Sequence, residues 1–184
     1  MPRYTDKKAA AVIRKIFANS ARVTRYNAAG ERINQPINGW DSPIGYIQTD
    51  GYRAIALAKV PAEGVPALYG IHIAGPEDQA RTANMHKTVE KLLKNVYDLT
   101  NEDSELLKFT EADVKSGTFS HGKSSLCFRA GRYADSPVYN SAYLRDMLTA
   151  LPDADFYIDR SKKSLSPIWA CSEYGVGVIL PIRL

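Results

Sequence analysis

Cysteine is scarce in this sequence: Cys127 and Cys171 are the only two among 184 residues. They do not make the framework of bridges that holds a small secreted domain together, and both read as buried free thiols of a reducing cytoplasm. Histidine is rare too, and the three present, His72, His86 and His121, show no metal-ligand spacing with one another or with the cysteines. No metal and no cofactor is expected. No apolar run has the length of a bilayer-spanning helix, which excludes that class of membrane protein. Residues 1–8 are polar and lack the apolar core of a signal peptide, so the expected location is cytoplasmic. No single sign of charge dominates: 24 Lys and Arg against 20 Asp and Glu leave a net +4. That excess permits a nucleic-acid partner without requiring one.

What is present is ordinary globular composition, with 45% hydrophobic and 24% charged residues. It is enough to bury a real core and excludes wholesale disorder. A helix is expected over about Thr5 to Arg25, capped by Thr5 or Asp6. At about 100° per residue, Ala9, Val12, Ile13, Ile16, Ser20 and Val23 share one face. Lys7, Lys8, Arg14, Lys15, Arg22 and Arg25 fall nearly opposite. Solvated helix faces usually mix both signs, whereas a stripe of one sign suits a phosphate backbone.

Residues 26–45 read as a loop punctuated by Gly, Asn and Pro. Strand-like runs at Ile44–Gln48 and Ala54–Val60 flank Asp50-Gly51, the strongest short hairpin signal. A further strand is expected at Ala67–Ala74. A second helix follows from about Glu77 to Leu99, with Val89, Leu92, Leu93 and Val96 on its apolar face and Lys87, Lys91 and Lys94 in a smaller basic row. Residues 100–123 read as irregular, with a short helix at Glu105–Phe109. Ser125–Ala130 reads as a strand and Asn140–Leu151 as a helix. Strands at Phe156–Asp159, Pro167–Ser172 and Gly175–Arg183 complete an α+β pattern.

One literal motif stands out. Gly117 to Ser124 matches the phosphate-loop pattern G-x-x-x-x-G-K-[ST], whose amides cradle phosphates between a buried strand and a helix N-terminus. The residues before it are no buried strand and those after it look like a strand, so a turn is the better reading. A nucleotide-binding enzyme stays as a distant alternative. Asp153, Asp155 and Asp159 read as surface carboxylates and not as an acid–base pair, and Cys127, within an apolar strand, as an inert thiol.

Three segments in order carry a resemblance. Gln48-Thr49-Asp50-Gly51-Tyr52-Arg53-Ala54 is similar to a T-D-G-H-R-L stretch. Tyr139 to Leu151 is similar to an F-N-x-x-Y-L-L-D-x-L-x-A-L helix, followed by Ser166-Pro167-Ile168. Val178 to Leu184 is similar to a terminal V-M-P-M-R-L. Together they resemble the bacterial DNA polymerase III beta sliding clamp family, over about a third of the chain. The resemblance implies a DNA-clamp-like α+β domain over residues 1–184, with two helices packed on antiparallel sheet and residues 61–120 as a helical insertion. It implies a non-enzymatic role associated with DNA replication, or with a mobile element's version of it. Expected partners are double-stranded DNA, contacted without sequence preference, and clamp-binding peptides of polymerases or the host clamp itself.

The resemblance also implies a peptide groove lined by Thr49, Gly51, Tyr52, Arg53, Leu180, Pro181, Ile182 and Arg183. The DNA-facing candidates are Lys7, Lys8, Arg14, Lys15, Arg22 and Arg25, with Arg145 on the later helix. In the family the T-D-G-H-R segment and the tail come from neighbouring domains, and Tyr52 stands where the family has His. With one domain per chain, a ring would require several subunits. A homo-oligomer and a monomeric interaction or decoy module that does not encircle DNA therefore both stay open.

Overall fold

The computed structural model describes residues 39–58, 76–99, 103–121, 125–129 and 136–182, together with 25–26, 32–33 and residues 7, 11, 12 and 15. Strands β1 (Arg25–Tyr26) and β2 (Arg32–Ile33) form a short antiparallel pair. Strands β3 (Gly39–Ser42), β4 (Gly45–Thr49) and β5 (Arg53–Leu57) lead to helix α1 (Pro76–Lys94), which runs on as a 3-10 turn, Asn95–Asp98. Then come β6 (Ser104–Leu107), the short helix α2 (Glu111–Ser116), β7 (Thr118–His121), β8 (Ser125–Arg129) and β9 (Val138–Asn140). Helix α3 (Ser141–Ala150) and strands β10 (Asp155–Asp159), β11 (Ile168–Ser172) and β12 (Gly175–Ile179) close the chain.

Seven strands form one antiparallel sheet in the order β3-β4-β5-β12-β11-β10-β6, and β7-β8-β9 form a second sheet. The chain is thus α+β with antiparallel sheets. The central strands β5 and β12 are buried along their whole length, because both faces of the large sheet are covered. Period-two alternation divides the core. Ile55, Leu57, Ile168, Ala170 and Ile179 face helix α3 through Leu144 and Met147, joined by Val12 and Val114. Ala54, Ala56, Trp169, Val176 and Val178 face the other way, against Leu93, Val96 and Leu99 of the α1 region. The indole of Trp169 ties that layer down by donating to the Leu92 carbonyl at 2.9 Å.

Local signals explain the helix ends. Asn140 caps α3 by accepting from the Ala142 amide at 2.9 Å, and Thr110 with Asp113 makes a capping box on α2. Hydrogen bonds donated by the Thr110 amide and then by its hydroxyl hold the Asp113 carboxyl below the usual carboxylate range.

Several expectations are corrected here. The short helix expected at Glu105–Phe109 is instead strand β6, whose residues pair with β10 from Phe156↔Leu107 to Asp159↔Ser104. Pairing with a sheet edge outweighs the local helix preference of Glu and Leu. Of the residues 100–123 expected to be irregular, those described, 103–121, also supply α2 and β7. The loop expected over 26–45 contains β3, an edge strand held by its pairing with β4. Within residues 61–120, helix α1 stands on the second face of the sheet, whereas β6 joins the main sheet and Val114 joins the first core. The strand expected at Ala67–Ala74 lies outside the described residues, as does most of the helix expected over Thr5–Arg25. Lys7, Ala11, Val12 and Lys15 of that helix are helical.

Candidate functional site

The turn between β4 and β5 is built by its own side chains. Thr49 Oγ1 donates to the Arg53 carbonyl at 2.7 Å and accepts from the Gly51 amide at 3.0 Å. Asp50 Oδ1 accepts from the amides of Tyr52 and Arg53, both at 3.1 Å. Gly51 sits at φ +86°, where side chains are disfavoured, and it is exposed. The sequence Thr-Asp-Gly-Tyr-Arg therefore specifies this turn almost without help from the rest of the protein.

Strand β12 lies beside β5, with Ile179 opposite Arg53. The pairing continues past the strand end, since the Leu180 amide donates to the Tyr52 carbonyl at 2.9 Å. Two residues on, the Ile182 amide donates to the Val138 carbonyl at 2.7 Å, so the tail passes from the large sheet to the small one. The hairpin turn and the tail thus meet inside one chain.

A cleft of about 210 Å³ opens at this junction. Thr49, Gly51, Arg53 and Ala54 border it from the hairpin, and Val178 and Leu180 from the tail strand. Its third wall is helix α1, through Thr88, Val89 and Leu92. Of the eight residues expected in a groove, Thr49, Gly51, Arg53 and Leu180 line this cleft. Tyr52 is 62% exposed beside it, and Leu180 and Ile182 are also exposed. Pro181 is half-buried between them. Arg183 lies outside the described residues.

Arg53 borders the cleft, yet its side chain is wholly buried and turned to the other face, with Ile55 and Leu57. There its Nε donates to Asp50 at 3.0 Å and its Nη1 to Asp146 of α3 at 2.5 Å. The guanidinium lies 4.2 Å from the ring centroid of Tyr143, whose hydroxyl titrates above its ordinary range, chiefly through burial. Asp146 also accepts from Lys15 at 2.7 Å. Two cations and two carboxylates thus balance one another and pin the hairpin to α3 and to the first helix.

Of the DNA-facing candidates, Arg25 stands in strand β1 and not on the expected helix, because it pairs with Ile33 of β2. Lys7 is exposed, Lys15 is paired with Asp146, Arg145 is half-buried on α3, and only the backbone of Arg25 is described. Lys8, Arg14 and Arg22 lie outside the described residues. Gly117 follows α2, and Thr118–His121 forms strand β7 paired with β8. The phosphate-loop match therefore starts in an antiparallel strand pair, and a helix precedes it instead of following it.

The α1 wall, Asp146 and Tyr143 were not anticipated as site residues. Val89 and Leu92 read from periodicity only as core, and Tyr143 and Asp146 only as positions of the Tyr139–Leu151 segment that resembles a clamp-family helix. Comparison with family models, curated proteins and solved structures gave no match. Among the described residues, no helix is long and apolar enough to cross a membrane.

Proposed function

We propose that this chain is a sliding-clamp-like, non-enzymatic interaction domain associated with DNA replication, and that it binds short linear peptide motifs of the clamp-binding type. The observation that carries this reading is the Leu180–Tyr52 hydrogen bond within one chain. It brings together the two segments that resemble the clamp family's groove, and both border an apolar cleft whose third wall is α1. Peptide grooves are of this kind, apolar with a few polar anchors. The sharing of one core by Val12 and α3 supports the clamp-like arrangement of two helices on one sheet face.

Calorimetric titration with a peptide carrying a clamp-binding motif tests the reading. Binding is expected, and removing residues 182–184 is expected to weaken it while far-UV circular dichroism stays unchanged. Absence of heat with the intact chain would reject the peptide-binding role. Light scattering coupled to size-exclusion chromatography separates the two assembly states: a closed multimer fits a ring, and a monomer fits an interaction or decoy module.

A further inference from the structure

The large sheet has two edges, β3 and β6. Beside β6 the Arg160 amide donates to the Asp103 carbonyl at 2.8 Å. In an antiparallel pair such bonded positions recur at every second residue. Asp103, Glu105 and Leu107 therefore bond toward β10, and the amides and carbonyls of Leu106 and Lys108 point out of the sheet.

One apolar row runs to this edge. Val178, Trp169, Tyr157 and Leu106 are successive cross-strand neighbours on the second face. Val178 and Trp169 are buried, Tyr157 is half-buried and Leu106 is 45% exposed. Sheet edges are usually guarded by charge. Here the neighbouring charges are drawn inward: Glu105 accepts from Arg160 at 2.7 Å, and Lys108 pairs with Asp155 of β10. The other edge, β3, carries Gly39 and Asp41, residue types that strands disfavour.

We propose that β6 pairs antiparallel with β6 of a second copy, about a two-fold axis at Leu106. Each Leu106 amide then donates to the Leu106 carbonyl of the other copy. Ser104 comes opposite Lys108 of the second copy, and Glu105 opposite Leu107, so no like charges face each other. The axis keeps each face on its own side, and the apolar row of Tyr157 and Leu106 continues across the seam. An edge that pairs with itself closes at two chains. The expected assembly is a dimer with one continuous sheet, and not a ring of several subunits. The inference goes beyond the peptide-binding reading and does not depend on it.

Light scattering coupled to size-exclusion chromatography tests it. The unmodified chain is expected to be a dimer at high concentration and to dissociate on dilution. Leu106→Glu sets two carboxylates face to face at the axis. Leu106→Pro removes the outward amide and leaves the bonds to β10 in place. Both variants are expected to be monomers with unchanged far-UV circular dichroism. In the otherwise intact chain, Leu106→Cys is expected to join two copies covalently on oxidation. Ser104→Cys is not, because its two copies would lie about 13 Å apart along the strands. A chain that stays monomeric up to about 1 mM would overturn the inference. So would an assembly of more than two chains, a dimer that survives both Leu106→Glu and Leu106→Pro, or oxidation that links Ser104→Cys as readily as Leu106→Cys. Peptide titration of the same variants reads the binding role separately.

Discussion

Arg53 on strand β5 reaches Asp146 on helix α3 at 2.5 Å, from a side chain with no exposed surface. One of its terminal nitrogens has no hydrogen-bond partner, so the guanidinium depends on Asp50, Asp146 and the Tyr143 ring. Removing one partner of a buried pair leaves an uncompensated charge and costs about 3–5 kcal/mol. Asp146→Ala is expected to lower stability by about that amount in urea denaturation. Lys15→Ala, at the half-exposed end of the same network, is expected to change it by no more than about 1 kcal/mol. Equal effects of the two variants would refute the central place of the Arg53–Asp146 pair.

The parts of this fold written in local chemistry were legible in the sequence. The Asp50-Gly51 turn, the Asn140 cap and the strand-like runs of β11 and β12 each announce themselves within a few residues. Strand β6 does not, because Ser-Glu-Leu-Leu becomes a strand only once Phe156–Asp159 lies alongside it. The site divides in the same way. Thr49, Gly51 and Leu180 were expected in a groove from resemblance. That Leu180 meets Tyr52 in the same chain follows from the pairing of β12 with β5, which no short pattern encodes. The α1 wall was hidden for a further reason: apolar spacing gives Val89 and Leu92 as core and does not say which sheet face the helix covers.

Glycine substitutions are expected to separate conformational from steric demands. A Cβ at Gly51 would meet nothing within 4 Å, whereas one at Gly175, at φ +152°, would come within 2.0 Å of the Ala56 carbonyl oxygen. Gly51→Ala is expected to cost about 1 kcal/mol through backbone strain alone. Gly175→Ala must part β12 from β5 and is expected to cost at least about 3 kcal/mol. Thermal midpoints measure the contrast, and a similar shift for both would show that the β5–β12 contact is looser than described.

The basic stripe yields a sharper DNA test now that Lys15 is located. Glu at that position would put a carboxylate beside Asp146, so a loss of binding there would mix charge with stability. Reversal of Lys7, Lys8 and Arg14 to Glu leaves Lys15 in place. If the stripe meets phosphates, binding of the unmodified chain to random-sequence duplex falls steeply with salt, and the triple variant loses it. Retained affinity in that variant, measured by fluorescence anisotropy at low salt, would place any DNA contact elsewhere.

Alkaline stability should depend on Tyr139. Its side chain is buried in the first core, and its hydroxyl donates to the Ser166 carbonyl at 2.8 Å. Burial pushes its ionisation far above the ordinary value of 10.0. In the unfolded chain the phenol loses its proton near pH 10, while the native state keeps it. Below about pH 10 the two states bind the same proton and the contribution is constant. Above it the unfolded state binds fewer protons, so stability falls with rising pH, by up to about 1.4 kcal/mol per pH unit from this group. Tyr139→Phe is expected to cost about 1 kcal/mol at pH 7 by removing the hydrogen bond, and to flatten the decline above pH 10. Burial also raises the thiols of Cys127 and Cys171, which adds a decline of the same sign beginning lower. The difference between the variant and the unmodified chain isolates the phenol from that background. Urea denaturation at intervals from pH 8 to 11 measures it, and parallel curves for the two proteins would show that Tyr139 does not carry the alkaline transition.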